Sequence, residues 1–251
     1  MSTIYLALPS RGVFVTGAIP GIVAPSSEPH IVIRSALSHS LLTRSFNILW
    51  CRALNMNPRP DYFAMMHDDV SPEPGWLDVL LKELKEHDAD VVSSLIAIKD
   101  DSQETSTCFF LPEKREVHRI KYSQALELPP TFGKDDLPAG TELLLNTGLW
   151  VCKFKDCKLV QPVEGDQTSL DIKPWVERFT FGQSDHILFD GKEYKADTTT
   201  EDWEASMRWN KFGLKILATR KVKISHIGAF GWSFGGTGEA DRLGVLREVK
   251  D

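Results

Sequence analysis

The stretch Asp61–Val70, with the sequence DYFAMMHDDV, is the part of the sequence that indicates the fold most clearly. Its first six residues form a short apolar run, which is typical of a buried strand. The segment Pro72–Gly75 then opens an amphipathic helix, because apolar side chains recur at helical spacing from Trp76 to Leu84. A buried strand followed by a polar turn and such a helix is a unit of a mainly parallel sheet with helices on both faces. In these sheets ligands bind at the carboxyl ends of the strands, where His67–Asp69 fall.

The rest of the first hundred residues continues this alternation of strands and helices. Thr3–Leu8 and Ile31–Arg34 are predicted strands, while residues 9–30, rich in glycine, proline and serine, are predicted to be loop. A helix is predicted over Leu37–Leu54 and a further buried strand over Val91–Ile98. The order strand, strand, helix, strand, helix, strand favours the α/β class.

The second half predicts a smaller mixed or antiparallel part of the same domain. We expect a hairpin of Thr105–Leu111 with Glu116–Lys121, followed by strands at Leu143–Leu145 and Gly148–Phe154. A helix is predicted over Glu201–Phe212, which ends before Gly213. Two last strands are predicted at Leu214–Ala218 and Lys221–Ser225. A polar tail follows Gly235-Gly236, with a final helix as one interpretation.

Length and composition exclude several classes of protein. A chain of 251 residues, 42% hydrophobic and 25% charged, can bury a sizeable core, which excludes general disorder. No stretch approaches the roughly 18–20 uncharged apolar residues that a membrane helix needs, and the first residues do not resemble a secretory signal. We therefore expect a soluble, cytoplasmic protein without an integral membrane segment. Its four cysteines are expected to be reduced, and their spacing does not match a zinc ribbon.

Charge is unevenly distributed along the chain, within a net charge of −6. Residues 1–60 carry five arginines and one acid, residues 61–110 carry twelve acids and three lysines, and residues 204–223 carry six basic groups and one acid. A basic part that faces an acidic one suits an anionic, metal-bound ligand such as a nucleotide diphosphate, although solvated faces are the commoner cause of such runs. The overall acidity argues against a dedicated nucleic-acid binder.

Three groups of residues are candidates for chemistry. Asp68 and Asp69 follow a buried strand, and two adjacent carboxylates there repel each other unless a cation or hydrogen-bond donors compensate them. A divalent ion bridged to phosphate oxygens would do so, and the alternative is a solvated turn. Glu201 and Asp202 stand at a helix start, where they could serve as a general base or only favour the helix dipole. His226 follows a strand, where a structural histidine is the alternative to a ligand.

In this order, the three sites resemble a glycosyltransferase of the GT-A fold, closest to the family 2 type, over most of the chain. In that family the first strand leads into a nucleotide-binding loop, here Leu8–Arg11, and a helix carries an Arg-Asn-like signature, here Thr43–Asn47. A DxD-like motif, here His67–Val70, follows a buried strand and precedes Pro-Gly and a helix. An "ED" helix, here Glu201–Trp203, precedes a glycine and two strands, and a histidine, here His226, often completes the metal site.

The resemblance implies a metal-dependent transferase of the hexosyl- or pentosyltransferase class. It would move a sugar from a nucleotide-diphosphate donor, a UDP-sugar before a GDP-sugar, to an acceptor hydroxyl. The implied cofactor is Mn²⁺ or Mg²⁺, bound by Asp69 and His226. The implied nucleotide-binding residues are Pro9, Ser10, Arg11, Arg34, Arg44 and Asp68. The implied halves of the domain are a nucleotide-sugar half over residues 1–100 and an acceptor-binding and catalytic half over 101–235, with the tail at 236–251.

The same resemblance implies that Asp202 is the catalytic base of an inverting enzyme, with Glu201 beside it. Neighbouring residues differ by about 100° around a helix axis, so only one of the two is expected to face the donor. A retaining enzyme would not need Asp202 as a direct base, and the sequence leaves inversion and retention both open.

The chain departs from the family pattern at two places. The acidic motif reads His-Asp-Asp at residues 67–69, so His67 stands where the family usually has an acid. Arg34-Ser35 stands where an acidic-Gly-Ser motif usually helps to bind base and ribose. The competing interpretations are a sugar-nucleotide nucleotidyltransferase, a non-catalytic sugar- or nucleotide-binding module and a metal-dependent hydrolase. A nucleotidyltransferase normally has a glycine-rich loop after the first strand, which Pro9–Gly17 does not match. A metal-dependent hydrolase normally has a second histidine at ligand spacing near the acidic pair, and the sequence has none there.

The acceptor is left open by the sequence. A glycan, a protein, a small molecule and a modified nucleic acid such as modified DNA are all compatible with it. Aromatic side chains stack on sugars and bases alike, and five tryptophans lie in the second half, although core packing is the simpler explanation for most of them. The basic run Arg208–Lys223 could follow a phosphate-rich acceptor.

Overall fold

The computed structural model describes residues 1–10, 12, 14–162, 171–189, 191–228 and 231–234. Within these ranges the strands are, in chain order, β1 (Thr3–Ser10), β2 (Ile31–Ser38), β3 (Tyr62–Met66), β4 (Val70–Pro72), β5 (Val91–Ser94), β6 (Glu104–Leu111), β7 (Glu116–Lys121), β8 (Thr131–Phe132), β9 (Glu142–Leu144), β10 (Leu149–Lys153), β11 (Leu159–Val160), β12 (Lys173–Pro174), β13 (Ser184–Phe189), β14 (Tyr194–Thr199), β15 (Ile216–Thr219), β16 (Ile224–Ile227) and β17 (Gly231–Phe234). The α-helices are α1 (Ile19–Val23), α2 (Leu42–Leu54), α3 (Trp76–Glu86), α4 (Tyr122–Glu127), α5 (Trp175–Arg178) and α6 (Glu201–Lys211).

A seven-stranded sheet forms the centre of the molecule, in the order β2-β1-β3-β10-β5-β15-β8. Strand β1 pairs parallel with both β2 and β3, and β15 pairs parallel with β5. Strand β10 lies between β3 and β5 and is antiparallel to both, and β8 is antiparallel to β15. The sheet is therefore mainly parallel but mixed, and the expected α/β class is confirmed.

The two faces of the sheet bury different side chains of the same strands. In β1, Tyr5 and Ala7 belong to a cluster that includes residues of α2 and α6, whereas Ile4 and Leu6 belong to a cluster with α3. This alternation follows from the two-residue period of a strand. The apolar residues of α2 and α3 recur at helical spacing, so each helix buries one face against the sheet.

Smaller sheets surround the central one. The hairpin β6–β7 is antiparallel and pairs through β6 with β9, which confirms the expected hairpin. Strand β16 pairs antiparallel with β17 and with β4, and β13 pairs antiparallel with β14. The predicted mixed or antiparallel part is thus present in the second half. No helix within the described ranges has both the length and the apolar character needed to cross a membrane.

The structure corrects several predicted boundaries. Residues 9–30, predicted to be loop, contain a 3₁₀ helix at Thr16–Ala18 and the short helix α1. The predicted helix at Leu37 begins only at α2, because β2 continues to Ser38 in parallel register with the whole of β1. Sheet pairing therefore prevails over the helical spacing of the apolar residues there. The hairpin β13–β14 and the helix α4 were not predicted, and the tail at 236–251 lies outside the described residues.

Candidate functional site

A cavity of about 350 Å³ lies at the carboxyl end of β3. It is lined by residues that are far apart in the sequence but that the structure brings together: Asp68, Asp69, Glu201, Asp202 and His226. The short connection from β3 to β4 places the two aspartates there, and the first turn of α6 places the other two acids. The predicted position of the site, at the carboxyl end of a parallel strand, agrees with this cavity.

Pairing between β4 and β16 brings His226 to Asp69 across 157 residues of sequence. Val70 is the register partner of His226, and the Ile227 amide donates to the Asp69 carbonyl over 2.8 Å. As a result, Nε2 of His226 lies 3.6 Å from Oδ2 of Asp69. The structure therefore brings together the two residues that were expected to share one ion.

The other ring nitrogen of His226 fixes which tautomer the neutral ring adopts. Its Nδ1 lies 2.7 Å from the carbonyl oxygen of Ala97. A carbonyl oxygen only accepts hydrogen bonds, so Nδ1 carries the hydrogen and donates it. In the neutral ring, Nε2 then presents a lone pair on the side of Asp69. Metal-binding histidines commonly have this arrangement, in which a backbone carbonyl orients the ring.

Lys99 also reaches this site, and sequence reasoning missed it. Its ammonium group forms an ion pair with Oδ2 of Asp69, and both side chains are about one-third exposed. Burial alone would raise the pKa of Asp69, but the neighbouring His226 ring and the hydrogen-bonded Lys99 ammonium outweigh it and hold that pKa well below its usual range. Asp69 is therefore a permanently charged carboxylate near neutral pH.

One oxygen of Asp69 has no protein partner in the part of the chain that is described. Its Oδ1 is buried and accepts no hydrogen bond there. A buried carboxylate oxygen without a donor is costly, and a divalent cation would satisfy it. The described residues contain no group of three or more His, Cys, Asp or Glu that could hold a metal ion. Asp69 and His226 thus fit as two ligands, and phosphate or water oxygens would have to complete the coordination.

Asp68 joins the acidic pair to the end of β1. The Ser10 hydroxyl donates to Oδ2 of Asp68 over 2.9 Å, and the Gly12 amide donates to the same hydroxyl over 2.9 Å. Pro9 and Ser10 are buried at the end of this strand. The expected nucleotide loop therefore lies against the acidic pair, whereas Arg11, its expected phosphate ligand, lies outside the described residues.

Asp202 also lines the cavity, and its carboxylate accepts hydrogen bonds from the segment before β10. Both the amide and the hydroxyl of Thr147 donate to Oδ1 of Asp202, the amide over 3.1 Å. Helix α6 is anchored beside it, because the Ser206 hydroxyl accepts from the Leu145 amide over 2.9 Å. These donors come from outside the helix, and the side chain of Thr200, which directly precedes the helix, does not cap it. Asp202 is therefore not simply a helix-capping acid.

The environment of Asp202 favours its protonated form. Burial, and then the negative charge of Glu201, raise the pKa of Asp202 to about 7, although the hydrogen bonds from Thr147 oppose this. Its side chain remains partly exposed because it faces the cavity. A carboxyl group with a pKa near neutrality can exchange a proton with a bound ligand.

The expectation that only one of the two acids faces the donor stays a prediction, although the structure brings both of them to the cavity. Both Glu201 and Asp202 line the cavity. The argument from 100° per residue treats the two side chains as if they stood in the middle of a helix. At the first turn no preceding turn covers them, so both reach the same space.

Two expected nucleotide-binding arginines lie elsewhere. Arg34 is on β2 at the edge of the sheet, and its guanidinium donates to the Ile22 and Val23 carbonyls over 2.8 and 3.0 Å. Arg44 is exposed on α2, where it lines a different cavity of about 440 Å³. Both are near the first strands in sequence, but the structure does not bring either to the lining of the acidic cavity.

Sequence reasoning also missed the turn that supports Asp202. Asn146 is buried, and its amide group donates to the Ser94 carbonyl over 2.5 Å while its Oδ1 accepts from the Gly148 amide over 3.1 Å. The available signal was a polar Asn-Thr-Gly triplet between two apolar runs. For Lys99 the signal was a basic residue directly after a buried strand, which is the position that already singled out the acidic pair.

The aromatic and basic residues of the second half have mostly structural roles. Trp150, Trp175 and Trp209 are fully buried in the core, as the simpler explanation predicted. In the basic run, Lys221 pairs with Glu83, and Arg208 pairs with Glu204. These charges are therefore committed to acids of the same chain rather than arranged as one track.

The fold and the cavity define a mixed α/β protein with a carboxylate-lined cleft at the ends of its central strands. No protein-family model matches the chain, and no curated protein does. Among solved structures the chain is similar to A197 from STIV, a viral protein, with a TM-score of 0.51 and 12% sequence identity. The match covers 98% of this chain and 100% of that one. At this identity the likeness is one of fold alone.

Proposed function

We propose that this protein is a metal-dependent glycosyltransferase of the GT-A fold, which moves a sugar from a nucleotide-diphosphate donor to an acceptor hydroxyl. The observation that carries the proposal is one cavity that two unlike groups of side chains line, which we call its two ends. Asp69, His226 and Lys99 form a charged end, and Asp202, with a pKa raised to about 7, forms a proton-accepting end. Transfer of a sugar from a diphosphate needs both functions within the length of one sugar.

The charged end is suited to the donor diphosphate. Asp69 and His226 would hold Mn²⁺ or Mg²⁺ there, since Oδ1 of Asp69 has no other partner among the described residues and Nε2 of His226 faces the same carboxylate. Such an ion supplies positive charge to the departing diphosphate. Lys99 lies on the same carboxylate, and its ammonium group would contact a phosphate oxygen once an ion takes its place at Asp69.

The proton-accepting end is suited to the acceptor. In the transfer step the bond from the sugar's anomeric carbon to the diphosphate oxygen breaks, and its electron pair leaves with the nucleoside diphosphate. The acceptor oxygen forms the new bond to the anomeric carbon, and its proton passes to the carboxylate of Asp202. Thr147 holds that carboxylate in place through two hydrogen bonds, which is how a base is oriented before reaction. Glu201 lines the same space and keeps the proton affinity of Asp202 high.

The order of the motifs along the sheet supports the same class. The end of β1 contacts Asp68 through Ser10, as expected for a strand that leads into a ribose- or phosphate-binding loop of this class. A UDP-sugar is the first donor to test and a GDP-sugar the second. The carboxylates at residues 201 and 202 argue for an inverting reaction, because a retaining one has no need of a base on the acceptor side.

The test is donor turnover by the full chain. We expect UDP-sugars or GDP-sugars to release the nucleoside diphosphate in the presence of Mn²⁺ or Mg²⁺, and EDTA to suppress this release. Water can replace the acceptor in such an assay, so that slow donor hydrolysis reports the same site. Release of pyrophosphate from a nucleoside triphosphate and sugar phosphate would instead identify a nucleotidyltransferase. Metal-dependent nucleotide binding without any turnover would identify a binding module.

A further inference from the structure

A second cavity, of about 460 Å³, lies on the hairpin β6–β7 beside α6. It shares both of these elements with the acidic cavity. Strand β6 contributes Ser106 to the acidic cavity and Glu104 to the second one, and α6 contributes Asp202 and then Trp203. The two cavities are therefore neighbours, and the side chain next to the proposed base opens into the second.

The second cavity offers flat ring surfaces. Trp203 is half-buried, and the Arg119 guanidinium lies over its ring at 5.6 Å from the centroid. Phe109 and His118 stack on each other with their centroids 5.1 Å apart and their planes at 22°. Rings that are partly exposed and held in place by neighbours suit the apolar face of a sugar ring, because they lose little freedom on binding.

The same cavity carries more positive than negative charge. The lining contains the basic side chains of Arg119 and Lys121, whereas Glu104 is the one carboxylate in the described lining. Arg119 is fixed by its contact with Trp203 and by a hydrogen bond of 3.3 Å to the Thr105 carbonyl. Lys121 is exposed and lines the same cavity. A rigid guanidinium beside a mobile ammonium is a common arrangement for a phosphate or carboxylate group.

Arg119, in the second cavity, also acts through its charge on Asp202, in the acidic cavity. Its positive charge lowers the pKa of Asp202, against the larger effect of burial, so the guanidinium lies within electrostatic reach of that carboxylate. Arg119 lies over the ring of Trp203, the residue after Asp202, so an anion bound at Arg119 would lie beside the first turn of α6.

We propose that the second cavity binds the acceptor and that the acceptor is an anionic saccharide. Its phosphate or carboxylate group would contact Arg119 and Lys121, its ring would lie on Trp203, and a hydroxyl would reach Asp202. This inference rests on the proposed function, of which it names the acceptor class. A polynucleotide is disfavoured because the chain carries a net charge of −6 and because Arg208 and Lys221 of the basic run are paired with acids.

The test is calorimetric titration of the full chain with glucose 6-phosphate, glucose, inorganic phosphate and a short single-stranded DNA. Each titration is made with and without UDP and Mn²⁺, so that ordered binding does not hide the site. We expect glucose 6-phosphate to bind at least about tenfold more tightly than glucose or phosphate, because ring and anion contacts add. Equal affinity for glucose and glucose 6-phosphate would overturn the proposal, as would binding of the DNA alone.

Substitutions in the hairpin and in α6 show whether glucose 6-phosphate binds in the second cavity. Lys121→Gln should weaken glucose 6-phosphate binding about tenfold, whereas Lys114→Gln, which removes the same charge from the exposed turn of this hairpin, should leave it unchanged. Trp203→Phe should keep the affinity and Trp203→Ala should lose it. Equal effects of the two lysine variants would refute the site. If glucose 6-phosphate binds as expected but no donor is turned over, the proposed function fails while the saccharide site stands.

Discussion

The two ends of the acidic cavity contain carboxylates in opposite electrostatic states. Asp69 has Lys99 and His226 against it, and its pKa lies well below the usual range. Burial, and then the negative charge of the adjacent Glu201, raise the pKa of Asp202 to about 7. Both side chains are partly buried, so the degree of burial alone does not separate them. The identity of the nearest charged neighbour does.

This difference shows how one cavity can divide two tasks between similar side chains. A carboxylate surrounded by cations stays ionised, and it can exchange one cation for another without taking up a proton. A carboxylate beside a second acid holds its proton more tightly and can accept one near neutral pH. The comparison can be tested by substitutions that alter one end of the cavity and leave the other unchanged.

The largest effect is expected at the proton-accepting end. Asp202→Asn should lower turnover by about 10²–10⁴-fold, since a base typically contributes this much, while donor binding stays unchanged. The matched control is Asp88→Asn, on a residue that is exposed and whose positive φ of 45° suits asparagine. Steady-state kinetics and nucleotide titration measure the two quantities. Turnover close to that of the unaltered chain would show that Asp202 is not the base.

A similar change at the charged end should affect binding instead. Asp69→Asn should weaken nucleotide diphosphate binding in Mn²⁺ by about 10–100-fold, and binding in EDTA should not change. Thermal shifts with and without the ion report this, because a ligand of the folded state raises its apparent stability. Equal affinity of the two proteins for the metal–nucleotide complex would exclude Asp69 as a ligand.

A smaller effect is expected from Lys99. Lys99→Gln removes the ion pair with Asp69 and the proposed phosphate contact, so donor affinity should fall about fivefold to tenfold. Lys153→Gln, which breaks the remote ion pair with Asp88, is the control of equal charge. A titration with UDP measures both. If Lys99→Gln instead tightened the binding of Mn²⁺–UDP, Lys99 would be a competitor of the ion rather than a partner of the phosphate.

The smallest effect concerns stability and pH. The pKa of Asp202 is about 7 in the folded chain, against an ordinary value of 3.8, so the folded state binds more protons between these values. The contribution of Asp202 to stability therefore falls as pH rises from about 4 to 7 and is level above that range. Asp202→Asn removes this titrating group, so the stability of the variant should not fall between pH 4 and 7 on this account.

The free energy of unfolding of the variant, relative to that of the unaltered chain, should therefore be higher at pH 8 than at pH 5. After allowance for solvent screening, we expect this increase to be on the order of 1 kcal/mol. Urea unfolding at the two pH values measures the difference. A gain of the same size at both pH values would mean that Asp202 has an ordinary pKa in the folded chain.

The sequence predicted the elements that have a clear local pattern of apolar residues. The strands β1 and β3 and the helices α3 and α6 were predicted within a few residues, since their apolar spacing is a local property. Its errors lie where long-range pairing prevails, as in β2, which extends along β1 into the predicted helix. The antiparallel insertion of β10 between β3 and β5 was likewise beyond local reasoning.

By itself the sequence determined that Asp68 and Asp69 stand at the end of a buried strand and that Glu201 and Asp202 open a helix, because both positions follow from nearby residues. Only the tertiary structure decided which charges surround each pair. Register between β4 and β16 brings His226 to Asp69, and the turn before β10 brings Thr147 to Asp202. A pKa depends on neighbours a few ångströms away, whatever their distance along the chain, and that is why Asp69 and Asp202 differ.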